Sequence, residues 1–365
     1  LALVFYFILM YNNVVITGTG SATPQKVVKN IDFKNHVFLN DDGTLFNKEN
    51  QEIIEKFKAI TGIEERRYAE DHLNTSDLAA QASEKAIISS ELDRELLDLI
   101  IVAHNFGDVK KGSIQGDLLP SLATRVKNKL GIKNPNCVAY DILFGCPGWV
   151  QAIIQVNQAI KAGDATKALV IGAETLSRVV DVSDRDSMIF SDGAGATILE
   201  IKKEDKKRGV LSSAAQTYAL EEAMYLYSGP TFNKGQDQNV NYIKMLGRKI
   251  YEFALTNVPK AIKLAMDKGG LDIQDVSKIF LHQANEKMDE AIVKRLYRLY
   301  QKPVQKNVMP MSIHKLGNNS VATIPILYDL VLNHQLEGHS ISKNDNVIFA
   351  SVGAGMNINA ITYKL

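Results

Sequence analysis

Residues 137–162 read CVAYDILFGCPGWVQAIIQVNQAIKA. The run 137–142 is short, largely apolar and bounded by a glycine turn, which predicts a buried strand. From 148 to 162 the apolar positions recur at helical spacing, and Gly163 closes the run, which predicts a helix. A strand passing through Phe-Gly-Cys-Pro-Gly into a helix is a building unit of an α/β fold. Cys146 stands at that junction, where the helix dipole and free N–H groups favour a thiolate. Pro147 suits a first helical turn, which has no use for its missing donor. Gly145 and Gly148 let the backbone approach a substrate closely. From these residues alone a small buried cysteine in a turn fits equally well. Cys137, inside the strand and without glycine neighbours, reads as packing.

Working outward, strands are expected at 14–18, 97–103, 168–171 and 194–201, with helices at 76–90 and 118–130. The charged run KKEDKKR at 202–208 reads as a solvated connector. The pattern then restarts: a strand at 209–214, a loop at 228–240, a long helix at 242–268, a strand ending at 279–282, helices at 285–300 and 320–333, and a strand at 347–352. Strands alternate with helices on both sides of the connector. The expected class is therefore α/β, in two similar halves spanning 10–205 and 206–365.

Composition excludes several functions. Of 365 residues, Lys and Arg number 42 and Asp and Glu 41, a net charge of +1. That lacks the overall basic field of a general nucleic-acid binder. Two cysteines cannot make a disulfide scaffold. Residues 1–9 are apolar but carry no Lys or Arg, and Asn12 and Asn13 interrupt too early for a spanning helix. They read as an upstream extension, and the protein as cytoplasmic. Gly18-x-Gly20 lacks the third glycine of a dinucleotide fingerprint, since Thr23 stands there. His104, His314, His334 and His339 have no metal-ligand spacing with cysteine, so no metal site is expected.

Three further strand ends carry chemistry-bearing residues. His282-Gln283-Ala284-Asn285 follows a strand, where ligands gather in parallel sheets. Gly317-Asn318-Asn319-Ser320 precedes a helix, and the Asn318 amide is suited to a developing negative charge. Gly353-Ala354-Gly355 is a small-residue turn able to offer free N–H groups as an oxyanion hole. Each is weak alone; the four together are much stronger.

In this order the motifs resemble the β-ketoacyl-ACP synthase III family of the thiolase-fold condensing enzymes. The resemblance runs from about Val14 to Leu365. It includes ITGTGSATP, Thr61-Gly62-Ile63 with Arg66-Arg67, the Cys146 turn, Ser191-Asp192-Gly193-Ala194-Gly195-Ala196, HQAN, GNNS and GAGM. It implies a five-layered αβαβα sandwich of two pseudo-duplicated halves and a homodimer. It assigns catalysis to Cys146, His282 and Asn318, and an oxyanion hole to the N–H groups of Cys146 and Ala354. Acyl-CoA or acyl-ACP and malonyl-ACP are the implied substrates, with acyl carrier protein as partner and no metal or redox cofactor. Thiolases would be expected to carry a second cysteine near the C-terminal glycine turn, and residues 347–357 have none. Elongating synthases carry a second histidine where Asn318 stands. Plant-type polyketide synthases share the Cys-His-Asn set, so the HQAN spacing and chain length favour type III. An acyltransferase, a non-decarboxylative condensing enzyme and a non-catalytic thioester-binding relative are the alternatives.

By the same resemblance Leu119, Leu176 and Phe190 line the acyl pocket, Leu119 reaching in from the partner subunit. Arg185 joins Lys287, Lys294 and Arg295 as a basic docking rim. On the helix after HQAN, positions 287, 291, 294 and 298 share a face, which suits an acidic carrier or equally an ordinary solvated surface. Two positions depart from the family. Ile60 and Lys56 stand where arginine and tryptophan commonly grip the adenine of coenzyme A.

Overall fold

The helix that follows Cys146 buries Trp149, Val150, Ile153, Ile154, Val156 and Ile160, and this fixes the architecture. In the computed structural model, which describes residues 10–113 and 115–365, the chain forms β1 (Tyr11–Ala22), β2 (Lys26–Lys29), α1 (Asn50–Thr61), β3 (Glu65–Tyr68), α2 (Thr75–Ser90), β4 (Leu99–Ala103), α3 (Leu122–Lys129), β5 (Val138–Ile142), α4 (Gly148–Ala162), β6 (Lys167–Thr175) and β7 (Asp192–Glu204). It continues through β8 (Gly209–Thr217), β9 (Leu226–Pro230), β10 (Asn241–Met245), α5 (Gly247–Gly269), β11 (Val276–Leu281), α6 (Glu286–Leu299), α7 (Ile313–Leu316), α8 (Thr323–Leu332), β12 (Asn346–Gly353) and β13 (Asn357–Lys364). The extension expected at 1–9 lies outside the described residues.

The first sheet has the order β1-β7-β6-β4-β5 and the second β11-β12-β13-β8. In each, parallel strands (β6, β4 and β5; β11 and β12) give way to an antiparallel pair. Beyond β11 the backbone at Val308 accepts a hydrogen bond from Ile279 N at 2.7 Å, in the place that β5 holds in the first sheet. β4 corresponds to β11, β6 to β12, β7 to β13 and β1 to β8. One topology is thus repeated.

Helices α4 and α8 lie between the sheets. Their apolar residues merge with both inner faces in one cluster that includes Val14, Trp149, Ile153, Phe280, Tyr328, Phe349 and Tyr363. Helices whose apolar residues meet both sheets are stable only between them. Phe349 centres the cluster, edge-on to Trp149 at 5.5 Å and to Tyr328 at 5.0 Å. Helices α2 and α3 cover the outer face of the first sheet, and α5 and α6 that of the second. The layers therefore run αβαβα, as the resemblance implied. Cys137 is buried in the outer cluster of the first sheet, matching its packing reading.

Several sequence expectations need correction. The helix expected at 242–268 is two elements: β10 pairs with β9, and α5 starts only at Gly247. The loop expected at 228–240 consequently loses its first residues to β9. The helix expected from 118 begins at Leu122, because the Ser121 hydroxyl caps Thr124 N. Lys202, Lys203 and Glu204 are not connector but the end of β7, paired with Asn13, Asn12 and Tyr11. Residues 320–322 form a tight 3-10 turn before α8. Among the described residues, no helix is long and apolar enough to cross a membrane.

Candidate active site

Cys146 sits between β5 and α4, with Pro147 at the helix N-cap. Its turn meets the turn after β12 almost backbone to backbone. A methyl group added at Gly353 would lie 2.5 Å from Cys146 N, and one at Gly145 only 2.7 Å from Ala354 N. No side chain larger than hydrogen fits at either place. The two glycines thus let the turns that carry Cys146 and Ala354 pack backbone against backbone from opposite halves of the chain.

His282 follows β11, and its own N–H continues the parallel ladder to Ala350 O at 2.9 Å. The rest of HQAN holds that position. Gln283 donates to Pro310 O at 2.8 Å and accepts from Ser312 N at 2.9 Å. The Asn285 side chain caps α6 by accepting from Met288 N. Asn318 is stitched across the halves: its N–H donates to Ile189 O at 3.0 Å, and its carbonyl accepts from Ser191 N at 2.9 Å. Asn319 adds a bond from its amide to Asp192 O. The side-chain oxygen of Asn318 accepts from Ser320 N at 2.7 Å, which leaves its NH2 group as the free donor.

Cys146, His282 and Asn318 all line one cavity of about 600 Å³. Its outer wall carries Phe46, Lys48, Lys56, Ile60, Arg185 and Arg248. A second chamber of about 230 Å³ joins it at Cys146, Phe190 and Leu226. A channel and a second open compartment therefore meet at the Cys146 sulfur.

Burial controls the protonation of both reactive groups. The Cys146 thiol is pushed up to about 11 by burial, with the nearby Glu174 carboxyl adding to the rise and the Ser320 hydroxyl opposing it. Burial thus outweighs the pull toward thiolate expected at a helix terminus. The His282 imidazole is pushed down to about 4, again by burial, with the Ser320 backbone weakly opposing. The ring is therefore neutral at physiological pH and carries one N–H donor and one lone pair.

The other expected residues divide. Leu176 and Phe190 line the second chamber, joined by Leu226, Ile243 and Phe106. Leu119 does not line it: the side chain is 87% exposed on the loop before α3. Arg185 stands on the channel wall, its guanidinium 4.6 Å over the Phe46 ring. Lys287, Lys294 and Arg295 are exposed on α6 and do not line the channel, with Lys294 paired to Glu290 and Arg295 bonded to Leu255 O. Lys48 and Arg248 at the channel wall were not anticipated. They stand outside every motif, so only the fold could have found them. Arg66 is wholly buried and serves the fold, donating to Met188 O, Val28 O and Asn30.

Residues 140–219 match the family described as 3-oxoacyl-[acyl-carrier-protein (ACP)] synthase III, and 266–365 match its C-terminal part. A "Beta-ketoacyl-[acyl-carrier-protein] synthase III" of Clostridium perfringens is 34% identical over 97% of this chain and 99% of its own length. The chain belongs to the β-ketoacyl-ACP synthase III family. Solved structures of the Aquifex aeolicus and Thermus thermophilus synthases III superpose with TM-scores of 0.79. They share 28% and 29% identity, cover 97% and 96% of this chain, and are themselves covered over 100% and 99% of their lengths. The thiolase fold and the two-half architecture are those of the family. Among the described residues, no group of three or more His, Cys, Asp or Glu is placed to hold a metal ion.

Proposed function

We propose that this protein catalyses the decarboxylative condensation of an acyl thioester, carried by coenzyme A or ACP, with malonyl-ACP in fatty acid or related lipid synthesis. The observation that carries the reading is the meeting of Cys146, His282 and Asn318 in one cavity beside the N–H groups of residues 146 and 354. In the first half-reaction the Cys146 sulfur attacks the acyl carbonyl. The two N–H groups stabilise the oxyanion, and the thiol proton leaves with the departing carrier thiol. Because burial keeps the resting thiol protonated, the thiol gives up its proton before or as the C–S bond forms. In the second, malonyl-ACP loses CO2, and its thioester oxygen gathers negative charge opposite the N–H of neutral His282 and the NH2 of Asn318. The carbanion attacks the acyl-cysteine carbonyl and expels the Cys146 thiolate, which takes up one proton from solvent. The product is a 3-oxoacyl thioester. Every step is polar and needs no metal or redox cofactor.

Leu176 and Phe190 would hold the acyl chain, and Leu119 would reach the partner's chamber in a cytoplasmic homodimer. Arg185, with Lys287, Lys294 and Arg295 beyond it, would receive an acidic carrier. Intact-mass spectrometry with a panel of acyl-CoA and acyl-ACP donors tests the reading. Wild type should gain the acyl mass and Cys146→Ala should not. Malonyl-ACP should then discharge the adduct with release of CO2. Discharge without CO2 would point to an acyltransferase or a non-decarboxylative condensing enzyme instead, and no adduct from any donor would leave a thioester-binding relative.

A further inference from the structure

Behind the sulfur lies a carboxyl that the condensation does not use. Glu174, near the end of β6, is 1% exposed. Asn105, just after β4, donates through Nδ2 to Glu174 Oε1 and also to Ser320 Oγ, the latter at 3.1 Å. Ser320 Oγ in turn donates to Cys146 Sγ at 3.4 Å. The proton order of this chain is constrained. Glu174 Oε1 accepts from Asn105 whether the carboxyl is ionised or protonated on its other oxygen, an amide NH2 has two hydrogens to give, and a hydroxyl has one. With both Asn105 hydrogens committed, the Ser320 oxygen is an acceptor on that side, and its own hydrogen is free for the sulfur.

We infer that Glu174 is a positioning residue for the nucleophile: acting through Asn105, it orders the Ser320 hydroxyl so that its hydrogen points at the Cys146 sulfur. The inference rests on Cys146 being the nucleophile. Ser320 is built for such a role. Its φ of +49° lies in the left-handed region, which a non-glycine residue occupies at a cost. Its N–H is held by Asn318, so the same residue fixes the amide of one site group and the sulfur of another. Titratable neighbours of the sulfur are Glu174 and His282, and Asp192 lies behind Glu174. Burial holds the Glu174 carboxyl up near 8, so the negative charge that disfavours thiolate grows only as pH rises through that value, and charge and ordering must be separated.

Two neutral variants do so. Glu174→Gln keeps the acceptor for Asn105, and Glu174→Met does not. Iodoacetamide alkylation mapped to Cys146, followed from roughly pH 6 to 10, reads thiolate formation without any acyl donor. Glu174→Met is expected to alkylate roughly threefold to tenfold more slowly than Glu174→Gln near pH 8, the usual worth of one hydrogen bond. In a Ser320→Ala background that gap should vanish. Equal rates for the two variants, or a gap that survives in Ser320→Ala, would overturn the inference. Should Glu174→Met not fold, Asn105→Ala carries the same prediction: slower alkylation than wild type, and no further effect once Ser320 is alanine. Failure of wild type to form an acyl adduct would sink the condensation reading and leave these alkylation rates intact, so the two failures are distinguishable.

Discussion

His282 is uncharged at neutral pH because burial holds its imidazole near 4. Its unfolded value is about 6.5, so as pH falls the unfolded chain takes the proton first. Stability is therefore lost between about pH 6.5 and 4, by about 3 kcal/mol for a shift of this size. His282→Gln should be flatter over that range, read from urea midpoints at several pH values. Glu174 behaves in the opposite sense. Burial holds its carboxyl up near 8, so the unfolded chain releases the proton first and stability is lost as pH rises from about 4.5 to 8. Glu174→Gln should gain melting temperature over wild type, increasingly toward pH 8. For catalysis, Asn318→Ala should still form the acyl adduct, because the proposed mechanism uses the amide only in the second half-reaction. Condensation turnover should drop by roughly 10²–10³, the cost of losing one donor to a developing oxyanion.

At the scale of elements, the β9–β10 hairpin forms part of both compartments through Leu226, Ile243 and Met245. It is anchored by Lys244, 2% exposed, whose ammonium is 2.6 Å from Asp181 and 3.1 Å from Asp184 and lies over the Phe232 ring. Lys244→Met should leave two buried acids without their partner and destabilise by roughly 3–5 kcal/mol. Urea unfolding would measure the loss. Faster hydrogen exchange confined to residues 226–245 would localise it. This hairpin is also where local sequence misled. Residues 242–245 carry no turn signal that separates them from the helix beyond Gly247. Their strand state depends on a partner strand at 226–230 and on two acids some 60 residues upstream, which helical spacing cannot register.

For the whole molecule, the site belongs to neither half alone. Cys146 comes from the first sheet, His282, Asn318 and Ala354 from the second half, and the central α4–α8 layer sets their distance. Leu118 and Leu119 are 48% and 87% exposed on the loop before α3, an apolar tip with no cover in the single chain. If this loop reaches a second copy, sedimentation should give twice the 40.4 kDa chain mass. Leu119→Asp should then shift the protein toward monomer and weaken retention of the longer acyl donors.

The sequence by itself determined the α/β class, the repeated cadence of the two halves, and the turns that carry Cys146, His282, Asn318 and Ala354. Those are set by short-range signals: apolar periodicity, glycine turns and residue types at strand ends. Tertiary structure alone decided the rest. The channel lining by Lys48 and Arg248, the absence of Lys287 from that lining, and the Glu174–Asn105–Ser320 chain all join residues far apart in the chain. The protonation of the thiol and the imidazole was also beyond the sequence, because desolvation depends on what packs around a group rather than on its neighbours in the chain.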